Sequence, residues 1–161
     1  MHPNAAALTH FYEAFARRDH AAMGALYVAD PTFEDEVFRL RGRDVAAMWH
    51  MLAENARDFA LTFRDVHADD ASGRAHWEAT YTFSATGRRV HNVIEAEVTF
   101  RDGLIATHRD RFDFGRWSRQ AIGLPALLLG WTPLLRNKVR RTAAKNLAAF
   151  VAAHEEYAAP R

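Results

Sequence analysis

Apolar side chains recur with two different periods along this chain. Over residues 3–18 they return every three or four positions, which predicts an amphipathic helix. A second, short helix with Tyr27 on its apolar face is predicted to end at Asp30-Pro31. A short strand over 32–38 and a third helix capped by Asp44 follow. The first third of the chain is therefore predicted to hold three helices and one strand.

The period changes to two in the middle of the chain. Four runs rich in β-branched and aromatic residues lie between short turns, at 59–68, 74–84, 90–100 and 104–114. This pattern predicts an antiparallel meander. Thr132-Pro133 then begins a long last helix. We expect a single domain over 1–161, with a core at about 3–114 and a C-terminal helical extension at about 115–161.

A polar residue whose neighbours on the same strand face are apolar either joins a buried network or lines a cavity. In the first predicted strand this comparison selects Asp35, which shares its face with Phe33 and Val37. Burial raises the pKa of a carboxyl group, so Asp35 is a candidate general base. Its alternative role is a turn or cap carboxylate beside one of three nearby arginines, Arg39, Arg41 and Arg43.

The same comparison selects residues on the later strands. His108 and Asp110 share the apolar face of the last strand, about 6.6 Å apart. They form either a catalytic acid and base pair or two members of a buried structural network. Trp49 and Trp77 are ligand contacts in one interpretation and core residues in the other. The complete set of candidate ligand contacts is Tyr12, Trp49, Trp77, Tyr81 and Asn92.

His108 and Asp110 also match part of a metal site built from two histidines and one carboxylate. His91, which could complete such a site, points to the opposite side of its strand from Asn92. We therefore expect neither a metal nor a cofactor. The sequence also lacks the motifs of nucleotide-binding loops, zinc proteases and serine hydrolases.

Composition narrows the range of partners. Among 161 residues, 21 Lys and Arg stand against 20 Asp and Glu, so no strong overall charge attracts nucleic acid or an anionic membrane. The absence of cysteine excludes disulfides, thiolate zinc sites and cysteine nucleophiles. The uncharged run at 120–135 contains two prolines and two glycines, so we do not expect it to span a membrane. Residues 1–7 lack the features of a secretory signal, and we expect a cytoplasmic protein.

Three helices, a short strand between the second and third, and a meander resemble the nuclear transport factor 2-like superfamily. Within it the chain resembles the ketosteroid isomerases, the limonene epoxide hydrolases and the SnoaL-like polyketide cyclases. The most specific local match is 25–35, ALYVADPTFED, which looks like the ketosteroid isomerase segment that ends on the catalytic carboxylate. By this resemblance Asp35 is the proton-shuttling base. The resemblance implies an α+β fold in which a cone-shaped, curved antiparallel or mixed sheet wraps around three N-terminal helices.

Two positions depart from the ketosteroid isomerase pattern. Phe11 stands where that family has a tyrosine in the first helix, and Tyr12 lies about 100° further around the helix. Ala96 stands at the position of the protonated aspartate that helps to bind the enolate oxygen. Steroid isomerase activity is therefore not expected. The last strand, 107–114, is closer to the SnoaL-like branch, where this strand often supplies His and Asp to the cavity.

These observations favour a cofactor-independent enzyme with isomerase, cyclase or epoxide hydrolase chemistry in an apolar cavity. The expected substrate is a small apolar molecule that bears oxygen. The alternative is a non-catalytic domain of the same fold that binds a ligand or forms dimers. The resemblance also implies a homodimer through the outer face of the sheet. The extension from Gly115 to Arg161 is expected to cover the cavity or to join the dimer contact.

Overall fold

The computed structural model describes residues 1–129 and 132–158, with Leu129 described by its backbone only. Gly130, Trp131 and 159–161, all within the expected extension, lie outside the described residues. The described elements are α1 (Pro3–Ala16), α2 (His20–Gly24), β1 (Tyr27–Glu34), β2 (Arg39–Arg41), α3 (Arg43–Asn55), β3 (Ala60–Ala68), β4 (Ser72–Phe83), β5 (Arg88–Arg101), β6 (Leu104–Arg111), α4 (Phe114–Ala121), α5 (Leu124–Leu129), α6 (Pro133–Ala153) and a 3₁₀ turn (Glu155–Tyr157).

The described strands form one open, curved sheet in the order β2-β1-β6-β5-β4-β3. β1 lies parallel to β6, and every other neighbouring pair is antiparallel. Strands β3 to β6 form the predicted meander, so this part of the prediction is confirmed. The predicted fold class, an α+β fold with a mixed, curved sheet against N-terminal helices, is confirmed as well.

Aromatic side chains fill the concave side of the sheet, against α1 and α3. Phe11 and Phe15 of α1 approach Trp49 of α3 with ring centroids 5.7 and 4.9 Å apart. Phe15 also stacks on Phe59 at 4.9 Å and meets Trp77 of β4 at 5.2 Å. Burying one large apolar side chain stabilises a fold by about 1.5–3 kcal/mol. The packing of these aromatic side chains therefore stabilises the contact between the helices and the sheet.

The second helix and the first strand differ from their predicted bounds. β1 runs from Tyr27 to Glu34, so the prediction of a helix as far as Asp30-Pro31 is wrong. Pro31 fits within β1 because the pairing of β1 with β6 shifts register between Tyr27 and Thr32, where its missing N–H interrupts no regular ladder. Tyr27 consequently lies on a strand and is buried in the core.

Two further bounds change the setting of the candidate residues. Asp35 lies one residue beyond β1, in the turn to β2, and not within a strand as predicted. The N–H of Asp35 donates to the carbonyl of Phe38 at 2.9 Å, which closes this turn. β6 ends at Arg111, and Phe114 begins α4 instead of ending the last strand. Asp113 stops the strand because its side chain caps α4, accepting a backbone N–H of the first turn at 3.0 Å.

The C-terminal extension lies against two parts of the core. Gln120 of α4 binds the start of β5 through two hydrogen bonds to the backbone of His91, at 2.7 and 3.1 Å. α6 contacts α3, and its Arg140 donates to the carbonyl of Glu36 at 3.0 Å. The extension therefore covers the turn that carries Asp35. Phe114, Trp117 and Ala121 of α4 form a second apolar cluster with Val90 of β5.

The open sheet ends in β2 on one side and β3 on the other. β2 is three residues long, whereas β3 is nine residues long. The register of β3 against β4 shifts between Arg64 and His67, and Asp65 within this gap has a φ of 57°. The longer edge is therefore interrupted by a bulge.

In the part of the chain that the structure describes, none of the helices is long and apolar enough to cross a membrane. The uncharged run at 120–135 is divided among α4, α5 and α6.

We predict that Gly123→Ala destabilises the fold more than Gly87→Ala. Both glycines have positive φ angles, 86° and 72°, so alanine costs about 1 kcal/mol of conformational energy at either position. A Cβ at Gly123 would also lie 2.9 Å from the guanidinium carbon of Arg88. Nε of this Arg88 donates to the Gln120 carbonyl at 2.8 Å, and the new Cβ would push the guanidinium away from that bond. A Cβ at Gly87 meets nothing within 4 Å. Urea unfolding should show an additional loss of about 0.5–1.5 kcal/mol for Gly123→Ala. Equal losses would contradict the described docking of α4.

Candidate functional site

Five polar side chains form one hydrogen-bonded chain in the interior. The indole Nε1 of Trp49 lies 3.0 Å from the hydroxyl of Tyr27, which lies 2.7 Å from Nδ1 of His108. Nε2 of His108 lies 3.0 Å from Oδ1 of Asp110. The same oxygen accepts a hydrogen bond from Nε1 of Trp77 at 3.4 Å. We call these residues the buried chain; it joins α3, β1, β6 and β4.

The donors and acceptors of the buried chain fit one arrangement of protons. The indole N–H of Trp49 can only donate, so the Tyr27 oxygen accepts it and the Tyr27 O–H donates to His108 Nδ1. His108 then carries its proton on Nε2 and donates it to Asp110. In this arrangement Oδ1 of Asp110 accepts two N–H groups, from His108 and from Trp77. Polar groups are tolerated at this depth because each has such a partner.

Aromatic rings surround the imidazole of His108. The rings of Phe11, Phe33 and Trp49 lie 5.6, 5.1 and 5.9 Å from it. The side chain of His108 is 0% exposed and that of Asp110 is 3% exposed. Both nitrogens of His108 are engaged and its side chain is enclosed, so His108 has no free nitrogen for a ligand.

Tyr12 lies beside the buried chain, yet its hydroxyl has no hydrogen-bond partner in the described part of the chain. Its ring stacks on Phe63 at 5.5 Å and lies 6.1 Å from Trp77. Burial raises the pKa of Tyr12 well above its usual value, and the charge of Asp110 raises it further. The hydroxyl is therefore a neutral donor, close enough to Asp110 to respond to its charge.

The carboxyl group of Asp35 is held by the backbone of its own turn. Oδ1 accepts the N–H groups of Val37 at 2.7 Å and Phe38 at 2.6 Å. These two bonds fix the orientation of the group. Oδ2 has no hydrogen-bond partner within 1–129 and 132–158. Asp35 thus acts as a turn carboxylate, which was its alternative interpretation, and still presents a second oxygen.

Burial raises the pKa of Asp35 to about 7. The two backbone hydrogen bonds lower it, and the charges of Asp110 and Glu36 raise it slightly further. None of the ion pairs formed by the described residues involves Asp35. Arg39, one of its expected partners, pairs with Glu34 at 3.4 Å instead. Within the described part of the chain, the ionised form of this carboxyl group is therefore not stabilised by an ion pair.

Tyr81 and Asn92 lie on neighbouring strands at the end of the sheet that α4 covers. Nε1 of Trp117 donates to the hydroxyl of Tyr81 at 2.8 Å. Burial raises the pKa of Tyr81, and the charge of Asp35 adds to this rise, which places the two residues near each other. Asn92 is partly buried, and its amide makes no hydrogen bond with the described residues. The amide of Asn92 is thus a free polar group on the inner face.

The predicted site residues fall into two groups. His108, Asp110, Trp49 and Trp77 belong to the buried chain, with Tyr12 beside it. Tyr81 and Asn92 lie at the end of the sheet that α4 covers, and Asp35 lies in the turn that α6 covers. The charge of Asp110 raises the pKa of Asp35, so the two groups interact electrostatically. Two grooves open on the surface, one beside arginines of β5 and α4 and one along β3 to β6. Neither is lined by Asp35 or by the buried chain, so the apolar cavity stays a prediction.

A comparison with protein families supplies the identity of the domain. The family model described as "SnoaL-like domain" matches residues 8–108, from α1 into β6. The chain belongs to the SnoaL-like domain family. The expected membership in the nuclear transport factor 2-like superfamily is confirmed with it.

Solved structures share the fold of this SnoaL-like chain. An epoxide hydrolase of the LEH-like type from M. tuberculosis matches with a TM-score of 0.62 and 22% identity, over 80% of this chain and 96% of that one. A putative polyketide cyclase from Xanthomonas campestris matches with a TM-score of 0.61 and 21% identity, over 73% and 96%. A protein with a ketosteroid isomerase-like fold from Catenulispora acidiphila, solved with trimethylamine, matches with a TM-score of 0.64 and 18% identity, over 79% and 97%. At these identities the similarity shows the fold alone. No curated protein matches the chain.

Sequence reasoning does not identify two side chains that organise this SnoaL-like site. The sequence pattern places Tyr27 in a helix, so it does not connect the Tyr27 hydroxyl with His108. It places Trp117 only in the C-terminal extension, although Trp117 reaches Tyr81. One available signal is that a buried tyrosine or tryptophan needs a polar partner. The choice of partner depends on sheet order, which the pattern along one strand does not contain.

We predict that Tyr27→Phe lowers the free energy of unfolding by about 2–4 kcal/mol, while Tyr12→Phe changes it by less than about 1 kcal/mol. The Tyr27 hydroxyl serves both Trp49 and His108, which would lose a partner in a buried place. The Tyr12 hydroxyl has no partner among the described residues to leave behind. Both rings are buried and both substitutions remove the same atom, so each is a control for the other. Urea unfolding at pH 7 measures the difference, and equal losses would show the buried chain to be assigned incorrectly.

Proposed function

We propose that this SnoaL-like protein is an enzyme that moves a proton on a small, apolar, oxygen-bearing molecule without a cofactor, with Asp35 as general base. The observation that carries the proposal is the carboxyl group of Asp35, which is partly buried and held by its own turn with one oxygen unoccupied; burial raises its pKa to about 7, near physiological pH. A base with such a pKa combines a substantial ionised fraction with enough basicity to accept a proton. Perturbed pKa values of this kind cluster at functional sites.

The orientation of Asp35 supports this role. Because Oδ1 is occupied by Val37 and Phe38, Oδ2 is the atom that would accept a proton from carbon or from water. The two N–H groups also limit rotation of the carboxyl group, so a substrate would meet it in one orientation. A positioned acid or base of this kind typically accelerates a reaction by about 10²–10⁴-fold.

The donors for the substrate oxygen would come from groups that the fold leaves unpaired. The hydroxyl of Tyr12 and the amide of Asn92 have no hydrogen-bond partner among the described residues. Donors fixed in advance stabilise negative charge that develops on oxygen. Asp110 would be the second carboxyl group of the site. His108 would be a positioning residue, because its two nitrogens are engaged by Tyr27 and Asp110.

Three reaction types fit this proposal. Isomerisation and ring closure need a base that removes a proton from carbon, and epoxide hydration needs a base that activates water. Each also needs a donor at the substrate oxygen. The similar structures described as epoxide hydrolase, polyketide cyclase and ketosteroid isomerase-like are compatible with this choice.

A second candidate function is a non-catalytic domain that binds a ligand or forms dimers. The observation that favours it is the buried chain itself, in which Tyr27, His108 and Asp110 satisfy one another without a ligand. In that case the raised pKa of Asp35 would be a by-product of burial under α6. The expected homodimer through the outer sheet face and the cytoplasmic location stay predictions.

We predict that Asp35→Asn stabilises the protein at pH 8 and has little effect near pH 4. The pKa of Asp35 is about 7 in the folded protein against 3.8 for an ordinary aspartate. Ionising it therefore costs stability progressively as the pH rises from about 4 to about 7. Asparagine cannot ionise, so the variant's advantage in free energy of unfolding should grow over this interval and then level off. Asp30→Asn, an exposed change on β1, is the control and should show no such rise. An advantage that does not vary with pH would contradict the raised pKa.

We predict that Asp35→Asn lowers turnover by about 10²–10⁴-fold on any substrate that the wild type converts. A panel of apolar cyclic ketones in D₂O would report removal of a proton from carbon as deuterium uptake. A panel of apolar epoxides in ¹⁸O-labelled water would report activation of water as ¹⁸O in the diol. Asp30→Asn should retain wild-type rates in both assays. Wild-type rates in Asp35→Asn, or no turnover of either panel by the wild type, would favour the non-catalytic domain.

A further inference from the structure

A cluster of metal-ligating side chains lies on the helical side of the fold, where α6 ends against α3. His50 and Glu54 stand one turn apart on α3, and His154 follows the last turn of α6. One ligand atom from each of the three lies within 4.8 Å of the others. From this geometry we propose a site for a zinc-type divalent transition metal, held by His50, Glu54 and His154. The proposal does not depend on the proposed function.

One nitrogen of each imidazole is fixed by a group outside the proposed ligand set, and Nε2 of His50 contacts Glu54, which is itself a proposed ligand. Nδ1 of His154 donates to the carbonyl of Phe150 at 2.7 Å, so Nε2 carries the free lone pair. Nδ1 of His50 is engaged by the hydroxyl of Tyr157 at 2.8 Å. Nε2 of His50 lies 2.9 Å from Oε1 of Glu54. Metal-binding histidines in proteins are held in this way, with the second nitrogen fixed by a carbonyl or another polar group.

The donor set identifies the class of metal. Two imidazole nitrogens and one carboxylate oxygen suit Zn²⁺, Co²⁺ and related ions, whereas Mg²⁺ and Ca²⁺ prefer oxygen alone. Zinc binds these atoms at about 2.0–2.2 Å, which brings its ligands within about 4 Å of one another. Oε1 of Glu54 already lies 2.9 Å from Nε2 of His50, and the Glu54 side chain, 53% exposed, has room to adjust its position. The fourth position would open to solvent on the exposed side of Glu54.

Rings hold both imidazoles in place. The ring of His20 stacks on that of His50 with centroids 3.6 Å apart, and Phe150 meets His50 edge-on at 5.0 Å. The same Phe150 stacks on His154 at 3.9 Å. The His50 side chain is 10% exposed. Glu156, 3.5 Å from Nδ1 of His50, adds negative charge that favours a cation. The nitrogens are therefore oriented before a metal arrives, which reduces the cost of binding.

A metal at this place would tie the C-terminal extension to the core. His50 and Tyr157 are already in contact across 107 positions of the chain. A ligand that binds the folded state alone stabilises it. The helix that the metal would secure is α6, whose Arg136 and Arg140 reach Glu36 beside Asp35. The metal would therefore stabilise the packing of α6 against the turn that carries Asp35.

The test uses the full chain without a polyhistidine tag, freed of metal by chelation and dialysis. Calorimetric titration with ZnCl₂ should show one Zn²⁺ per chain and a rise in melting temperature. CoCl₂ should produce intense visible absorption bands, typical of a site with few ligands. Glu54→Gln and His154→Ala should each weaken zinc binding by about 10–100-fold or more, since loss of an outer-shell partner already costs that much. Circular dichroism of the metal-free variants shows whether they fold, and the exposed position of Glu54 makes Glu54→Gln the safer variant.

A second group of histidines and carboxylates, on the outer face of the sheet, supplies the control. There Glu78 bridges His76 at 3.0 Å and His91 at 2.8 Å. His91→Gln should leave zinc affinity and the cobalt spectrum unchanged. The proposal is overturned if zinc shows no saturable binding, if Glu54→Gln and His154→Ala both bind as the wild type does, or if His91→Gln alone abolishes binding.

Discussion

The hydrogen bonds of His108 constrain the whole fold, because a buried imidazole and carboxylate are tolerated only when their polar atoms are paired. Tyr27 comes from β1, and Asp110 comes from β6, the strand of His108 itself. Trp49 of α3 joins them through its hydrogen bond to Tyr27. The parallel register that sets Phe33 opposite His108 must therefore form together with the docking of α3. A shift of β1 by one residue would leave polar atoms unpaired at the centre of the aromatic core.

Asp35 shows how opposing effects give a carboxyl group its properties. Two backbone N–H groups favour its ionised form, and burial disfavours it more strongly, so that the pKa of Asp35 rises to about 7. The burial depends on the C-terminal extension, since α4 and α6 cover this end of the sheet. The extension therefore influences the chemistry of a residue that precedes its first position, Gly115, by 80 positions, through solvent exclusion and not through a direct charge on the carboxyl group.

The part of the fold that depends on local pattern could be predicted from the sequence. Periods of about 3.6 and 2 located α1, α3 and the four strands of the meander, and the order of these elements indicated the superfamily. Contacts between distant segments could not be predicted in the same way. Tyr27 meets His108 across 81 positions, at a register shift that no pattern along β1 announces. Asp35 stood out because its neighbours are apolar, yet its turn and the helix that covers it are products of tertiary structure.

The bulge in β3 has a consequence for how the protein behaves at high concentration. A long, regular edge strand exposes unpaired N–H and C=O groups that can recruit the edge of another molecule and start aggregation. β3 is such an edge, but its pairing is interrupted between Arg64 and His67, and Asp65 adopts a left-handed backbone conformation there. Arg64 and Asp65 also place an ion pair at the surface of this edge. A neighbouring chain therefore meets a twisted, charged strand, and the sheet can stay open without growing from one molecule to the next.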